Sequence, residues 1–470
     1  MTQVTLRDYQ RKLIDEVRTH MGKGSKNPLL VLPTGGGKTV CFSYLAQSAV
    51  KKNKKVLILA HRDFLLDQIA QTLSKFQVVF SYIAAGRLYD PSVSLQIGSV
   101  QTVINRLHLL KNFDFVIVDE AHHLKKGATY YKILSHVNTF TLGVTATPCR
   151  LSGEALGDFF TSIVKGPSMD WLIENKYLCD YDLIAPKNDL DFSKVGLKMG
   201  DFNKKESEEM VDKKVIIGSV INEYKKHVNG KRAVVFCISV NHAKKIAMEF
   251  RESGIPAMHI DGSMNHLERN LIMRNFKEGS VKVLTNCQIV TEGFDLPSLD
   301  SVIQLRPTAS LSLYLQMVGR ALRTNKGKQK AIIIDHVKNY KRHSLPDIEH
   351  DWSLEGKVKA SKADKPPSVR YCEKCLTPIN SRALKCYNCG SAKVVTPRTD
   401  NTKFKEGVLS KIDKDKLKKQ KNINRLAAQA KAVTLQELTD LGKERGYKRP
   451  RLWAKKVFNA RQSKILKGDI

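Results

Sequence analysis

The sequence is short of acid. Its 470 residues include 46 Asp and Glu against 79 Lys and Arg, a formal net charge of +33. A field of that sign draws in polyanions and speeds encounter with them, nucleic acid above all. From Asp351 onward there are 30 basic and 12 acidic residues, so this last quarter carries +18. The first 350 residues carry the other +15. Long apolar runs are also missing. No stretch approaches the roughly 18–20 apolar residues that a membrane-spanning helix needs. The opening MTQVTLRDYQ holds no apolar signal-peptide core, so a cytoplasmic chain without a membrane partner is expected. Low-complexity tracts and short repeats are absent, which excludes a repeat architecture. Cysteine is sparse over most of the chain. Cys41, Cys149, Cys179, Cys237 and Cys287 are scattered beside apolar residues and read as reduced core thiols.

What is present alternates. LLVLP (29–33), KVLILA (55–60), VSLQIGSV (93–100), DFVIVDE (114–120) and TLGVTATP (141–148) are short apolar runs ending in polar residues or Gly. Amphipathic stretches such as Asp63–Phe76 separate them. Strand–helix alternation of this kind predicts a parallel sheet covered on both faces. The pattern recurs in AVVFCI (233–238), AMHID (257–261), VKVLTN (281–286), SVIQL (301–305) and AIIID (331–335), with helical spacing over His242–Ser253 and Ser310–Leu322. The expected fold class is therefore α/β, with two tandem parallel-sheet domains. Residues 1–155 form the first, 156–212 a connecting insert and 213–345 the second. A polar linker is expected over 346–369, a four-cysteine module over 370–395 and a basic, mostly helical tail over 396–470. The run KIDKDKLKKQK (411–421) reads equally as a solvated helix face or as a nucleic-acid contact.

The sharpest chemical signal is LPTGGGKT (32–39), set between an apolar strand and the helical run Val40–Val50. Gly35, Gly36 and Gly37 let the backbone curl behind Thr34 and point N–H groups at phosphate oxygens. The helix that follows adds its dipole. Lys38 can reach the β- and γ-phosphates, and Thr39 can ligate Mg²⁺ through its hydroxyl. Leu32 stands where the strict pattern has Gly. Roughly 80 residues on, FVIVDEAHH (115–123) ends a buried strand in two carboxylates. Asp119 suits Mg²⁺, and Glu120 suits an attacking water. The second domain has no phosphate loop of its own.

Together these residues resemble the superfamily 2 helicases, and Asp119-Glu120-Ala121-His122 matches the box of the DEAH group. The resemblance covers about residues 4–345. It implies two RecA-like domains, ATP and Mg²⁺ as cofactors, and an ATP-dependent helicase activity. In LRDYQ (6–10), Gln10 would contact the adenine edge and Arg7 would pack on its face, although Asp8 replaces the usual Pro. TATP (145–148) resembles the motif that links hydrolysis to domain movement. In TEGFDLP (291–297), Gly293 would touch the nucleotide, Asp295 the ribose and Thr291 the nucleic-acid backbone. In QMVGRALR (316–323), Gln316 would face the γ-phosphate while Arg320 and Arg323 act as arginine fingers. A guanidinium is always charged and matches phosphate oxygens in a fork. Nucleic acid would meet His61, Arg62, Gln101 and Thr102 in the first domain, and Ser239, Asp261, Gly262, Asn286 and Thr291 in the second. Ser239 and Asn286 read equally well as turn formers.

Within superfamily 2 the likeness points to RadD-type DNA repair helicases, through the DFN-containing insert near 201–203 and the four-cysteine module. Cys372, Cys375, Cys386 and Cys389 form two C-x₂-C pairs ten residues apart. Two such knuckles close a tetrahedron around a structural Zn²⁺; two disulfides are the alternative. The expected partner is single-stranded, forked or branched DNA, with RNA as the rival track. Single-strand-binding or recombination proteins are further partners. A monomer in a bacterial or phage-infected cell is expected. Two further rivals are a restriction-system motor subunit and a binding adaptor with vestigial hydrolysis. The intact set of Lys38, Asp119, Glu120, Gln316 and Arg320 speaks against the adaptor.

Overall fold

The computed structural model describes residues 4–148, 156–186, 197–198, 201–203, 206–208, 214–287, 299–325, 327–350, 352–354, 369–371, 378–380, 409–415, 417–418, 429, 432, 434–444 and 450–466. The chain divides into two compact units, Met1–Gly356 with Gly407–Ile470, and Lys357–Glu406.

The larger unit is built on two seven-stranded sheets. The first uses β1 (Pro28–Val31), β2 (Val56–Ala60), β3 (Ser81–Ile83), β4 (Leu95–Ser99), β5 (Phe115–Asp119), β6 (Phe140–Thr145) and β7 (Ser162–Lys165). Their order is β3-β4-β2-β5-β6-β1-β7, and every pairing is parallel. The apolar runs are buried on both faces because side chains alternate. Leu30, Val56, Ile58 and Ile117 enter one core, and Leu29, Leu57, Leu59 and Val116 the other.

The second sheet uses β8 (Asp180–Pro186), β11 (Ala233–Phe236), β12 (Ala257–Ile260), β13 (Val283–Asn286), β14 (Ser301–Gln304), β15 (Lys330–Asp335) and β18 (Leu409–Lys411). Its order is β12-β13-β11-β14-β15-β8-β18, parallel except for the last pair. A hairpin of β9 (Leu197–Lys198) and β10 (Asp201–Phe202) stands apart from both sheets. The main core is continuous across the two halves, joining Val144 to Val234, Val302 and Tyr314.

All ten expected strands are found within a few residues of their predicted bounds. Four strands had no apolar run to announce them: β3, β7 and β18 at sheet edges, and β8 between β15 and β18. The stretch 156–212 supplies β7 to the first sheet and β8 to the second. The stretch 346–369, expected to be a linker, opens with packed residues. Trp352 lies against both the main core and the first sheet's second core, and Leu354 O accepts from Leu156 N at 3.1 Å and Gly157 N at 2.9 Å. In the tail, β18 pairs with β8, and the lysines around it are spent on internal acids. Lys411 reaches Asp182 at 3.0 Å, Lys414 reaches Asp180 at 2.5 Å, and Lys418 reaches Asp170 at 2.7 Å and Asp347 at 2.8 Å. That outcome corrects the expectation of a free basic face here: these ammonium groups already have carboxylate partners.

Beyond β18, the helices Leu435–Glu444 and Pro450–Leu466 form a hairpin. Thr434 and Glu437 cap it reciprocally, Glu437 N to Thr434 Oγ1 at 3.1 Å and Thr434 N to Glu437 Oε2 at 2.9 Å. In the smaller unit, β16 (Val369–Tyr371) pairs antiparallel with β17 (Pro378–Asn380). No described helix is long and apolar enough to cross a membrane.

Candidate active site

The glycine loop sits at the C-terminal end of β1, where ligands meet parallel sheets. Gly35 and Gly37 take left-handed backbone, φ +85° and +86°, which only glycine adopts without cost. The loop is also tightly enclosed. A Cβ on Gly37 would fall 2.3 Å from Gln10 Nε2, and one on Gly36 would fall 2.8 Å from Leu32 Cγ. Leu32, the departure from the strict pattern, is fully buried and packs under the curl. The helix Lys38–Val50 starts directly after Gly37, which leaves its first amides facing the loop.

Charge converges on Lys38 from both halves of the unit. Burial pulls its ammonium below the ordinary lysine range. Glu120 and Asp119 oppose that pull, while Arg320 and Arg323 add to it. The second half also touches the loop sterically. A Cβ on Gly319 would meet Thr34 Cβ at 2.7 Å, and one on Gly35 would meet Arg323 Cγ at 3.7 Å. Gln316 and Arg320 are buried in this contact. The Gln316 side-chain nitrogen has no hydrogen-bond partner among the described residues.

Asp119 and Glu120 are both buried. Glu120 N donates to Asp119 Oδ1 at 3.0 Å. Glu120 holds φ +49°, a left-handed conformation that costs a non-glycine residue about 1–3 kcal/mol and often marks a working site. A polar chain leads away from it. His122 Nδ1 lies 3.3 Å from Glu120 Oε2 and 3.0 Å from Thr145 Oγ1. Thr145 Oγ1 donates to Thr147 O at 3.1 Å, so the network assigns the imidazole proton to Nδ1. Thr147 Oγ1 then donates to Ser312 Oγ at 2.5 Å, crossing into the second half.

On the other side of the loop, Tyr9 OH donates to Gly36 O at 2.8 Å and Gln10 Nε2 to the same oxygen at 3.3 Å. Arg7 lies with its guanidinium 4.8 Å above the Tyr177 ring, and Tyr9 meets Tyr177 edge-on at 5.0 Å. Trp171 stacks on Tyr177 at 5.8 Å. Arg7, Tyr9, Trp171 and Tyr177 thus form one packed aromatic cluster beside the glycine loop.

The candidate nucleic-acid residues of the first half gather at neighbouring strand ends. Gln101 Nε2 donates to His61 O at 2.8 Å, Arg62 Nε to His61 Nε2 at 3.3 Å, and Ala85 N to Thr102 Oγ1 at 3.2 Å. In the second half, Ser239 caps the helix Val240–Glu252 by accepting from His242 N. Asn286 is fully buried with its amide on Val235 O at 3.0 Å. Asp261 accepts Ser263 N at 2.8 Å, and Gly262 beside it is exposed. Thr291, Gly293 and Asp295 lie outside the described residues, as do Cys372, Cys375, Cys386 and Cys389. Among the described residues no cluster of His, Cys, Asp and Glu could hold a metal ion.

Residues 3–150 match the family described as type III restriction enzyme, res subunit, and residues 213–325 match the helicase conserved C-terminal domain. The chain is 35% identical over 391 residues to the 51.5 kDa protein of a Lactococcus phage (isolate 7-9), covering 82% of each. The chain is a superfamily 2 helicase. Members of this superfamily are ATP-dependent enzymes, and both motor halves are present here.

The helicase is also 34% identical over 355 residues to a Saccharomyces cerevisiae protein named as ATP-dependent helicase IRC3. That match takes in 71% of this chain and 51% of the yeast protein, so the helicase spans about half of that relative. Among solved structures, the type ISP restriction-modification enzyme LlaBIII bound to DNA aligns with a TM-score of 0.54 at 19% identity. It covers 71% of the helicase and 28% of the enzyme, a likeness of fold. Sequence reading missed Tyr9, Trp171 and Tyr177, which are spread over the chain and carry no motif. It also missed Ser312, although TATP pointed at the first-half end of that bond.

Proposed function

We propose that this helicase hydrolyses ATP to move along or remodel DNA, in the manner of RadD-type enzymes of repair, recombination or replication. The observation that carries the reading is the meeting at Lys38 of carboxylates from one half and guanidiniums from the other. Lys38 and the amides behind Gly35, Gly36 and Gly37 bind the β- and γ-phosphates. Thr39 and Asp119 offer hard oxygen donors of the kind Mg²⁺ takes, and the ion supplies charge neutralisation at the phosphate oxygens when bound. Glu120 accepts a proton from the attacking water or orients it, and His122 holds that carboxylate. Gln316 addresses the γ-phosphate with its unpaired amide. Arg320 and Arg323 complete the charge balance when the halves close. Arg7 and Gln10 take the adenine against Tyr177, and Gly293 and Asp295 take the sugar side.

The charge of +33 and the cluster of His61, Arg62, Gln101 and Thr102 support a nucleic-acid track. Asp261, Gly262, Thr291, Ser239 and Asn286 complete it, the last two through backbone they hold in place. DNA is favoured by the LlaBIII likeness. Cys372 and Cys375 lie outside the described residues and make the first of the two C-x₂-C pairs. With Cys386 and Cys389 they hold a structural Zn²⁺. The test is ATP turnover measured with single-stranded, duplex, forked and four-way DNA and matching RNA. DNA should stimulate severalfold. Equal stimulation by RNA overturns the DNA assignment, and no stimulation by any strand overturns the motor.

A further inference from the structure

The stretch between the two matched regions holds a residue that the function has not yet used. Asp201, on β10, docks onto the loop that precedes the helix Leu311–Gly319. Its Oδ1 accepts Ala309 N at 2.7 Å and Thr308 Oγ1 at 3.1 Å, and its Oδ2 pairs with Arg306 Nη2 at 3.2 Å. Arg306 and Thr308 are buried. Beside it, Phe202 lies under the Arg342 guanidinium at 4.5 Å, and Arg342 Nη1 donates to Thr308 O at 3.3 Å. One carboxylate therefore ties Arg306, Thr308 and Ala309 together, beside Asn339, which accepts from Thr308 N at 3.0 Å and donates to Arg306 O at 3.0 Å, and His343 Nε2, 2.9 Å from Thr308 O.

That loop feeds the catalytic contact. Thr308 Oγ1 accepts Ser310 N at 3.0 Å, and Ser310 Oγ accepts Leu313 N at 3.1 Å, capping the helix that carries Gln316 and leads into Arg320. Two residues past the cap, Ser312 takes the Thr147 hydroxyl. From there the polar chain runs through Thr145 and His122 to Glu120. The other end of the same insert reaches the nucleic-acid edge. Glu208 Oε1 accepts the Ser239 hydroxyl at 2.5 Å. A short segment thus touches both a candidate track residue and the base of the finger helix.

We infer that Asp201 is a positioning residue for ATP hydrolysis: the insert braces the Arg306–Ser312 loop and so sets Gln316, Arg320 and Ser312 against the first half. This rests on the reading that Gln316 and Arg320 act at the triphosphate. Asp201 touches no substrate. Its loss leaves the glycine loop and the residues proposed to take the adenine intact, so ATP binds as before. The Arg306–Ser312 loop then keeps its bonds to Asn339, Arg342 and His343 but loses the carboxylate that ties Arg306, Thr308 and Ala309 together, and the closed arrangement is reached less often.

The experiment compares the full chain with Asp201→Ala, with Asp201→Asn combined with Arg306→Gln, and with Lys38→Ala. ATP turnover is measured with single-stranded DNA over a range of ATP, alongside thermal unfolding. Asp201→Ala should lower kcat about tenfold or more while the KM for ATP stays within about twofold. Its melting temperature should hold within a few degrees. The paired variant replaces the ion pair by an amide–amide hydrogen bond and keeps the Oδ1 acceptor, and should recover kcat to within about threefold. Unchanged kcat in Asp201→Ala beside an inactive Lys38→Ala overturns the inference. So does a joint loss of kcat, KM and melting temperature that the paired variant does not restore, since that marks a merely structural group. Wild-type turnover by Lys38→Ala sinks the hydrolytic reading of the site, a result that cannot be mistaken for either of these.

Discussion

The hydroxyl of Thr147 donates to the hydroxyl of Ser312 at 2.5 Å, and both are buried. Thr147 belongs to the first sheet's half and Ser312 to the second. Thr147 O also receives the Thr145 hydroxyl, which accepts from His122 Nδ1, and that nitrogen lies 3.3 Å from Glu120 Oε2. On the proposed role of Glu120 in hydrolysis, the Thr147–Ser312 bond is the polar contact that joins its surroundings to the other half. Replacing Thr147 by Val keeps the shape and leaves the Ser312 hydroxyl buried without this partner, a cost of about 1–3 kcal/mol to the closed form. Strand separation or translocation should fall severalfold more than ATP turnover. Equal losses in the two assays would remove the linking role.

Arg320 is buried against the glycine loop and lies among the charges that act on Lys38. Arg320→Ala should still bind ATP, because the glycine loop and the residues proposed to take the adenine are untouched. Turnover should fall on the order of a thousandfold, as for other arginine fingers. Nucleotide binding by fluorescence titration beside steady-state kinetics checks it, and a near-normal kcat would dismiss the finger.

Asp335 and His336 are adjacent, fully enclosed and shifted in opposite directions. Burial pushes the Asp335 carboxyl up to about 6, and burial pushes the His336 imidazole down to about 3. The signs follow. His336 binds its proton more readily unfolded, so its neutral burial favours folding above about 6.5, and that contribution is lost as pH falls toward its folded value. Asp335 binds its proton more readily folded, so its contribution is present below about 4 and is lost as pH rises through about 6. Between pH 6 and 4 the two offset, each worth up to about 1.4 kcal/mol per pH unit. Asp335→Asn should make urea resistance fall more steeply across that window, and His336→Gln should make it rise. Parallel slopes for both variants and the wild type would contradict this.

Lys418 ties two acids together, and Asp347 is almost wholly buried, with Tyr181 OH as its other partner at 2.7 Å. Lys418→Ala leaves that carboxylate short of its counter-charge. The larger unit should lose about 1–3 kcal/mol, seen as a drop of several degrees in melting temperature. An unchanged melting curve would make the lysine a surface ornament.

Metal content tests the cysteine module separately. The purified chain should carry about one zinc ion, lost on Cys375→Ala. Because residues Lys357–Glu406 form their own unit, basal ATP turnover should survive that change. Full zinc content in Cys375→Ala would refute the proposed ligand set.

Much of this was legible in the chain. LPTGGGKT and FVIVDEAHH name chemistry through local rules: glycine where backbone must curl, carboxylates where a buried strand ends. QMVGRALR read either as a plain basic amphipathic helix or, through its resemblance to the sixth helicase motif, as the carrier of arginine fingers. Less was visible where partners come from distant segments. Ser239 and Asn286 turned out to hold a helix cap and a strand carbonyl. Lys411, Lys414 and Lys418 of KIDKDKLKKQK found Asp182, Asp180, Asp170 and Asp347, acids more than 60 residues away in each case.

The sequence alone determined ten of the strands and the glycine loop, because apolar periodicity and glycine torsions act over a few residues. Tertiary structure decided the rest. β3, β7 and β18 pair at sheet edges, and β8 pairs on both sides between β15 and β18; their residues carry no apolar run that demands a strand. The convergence of Lys38, Glu120 and Arg320, and the bracing of Arg306–Ser312 by Asp201, depend on which segments meet when two sheets share one core. Pairings across that distance are set by packing, and no local pattern encodes them.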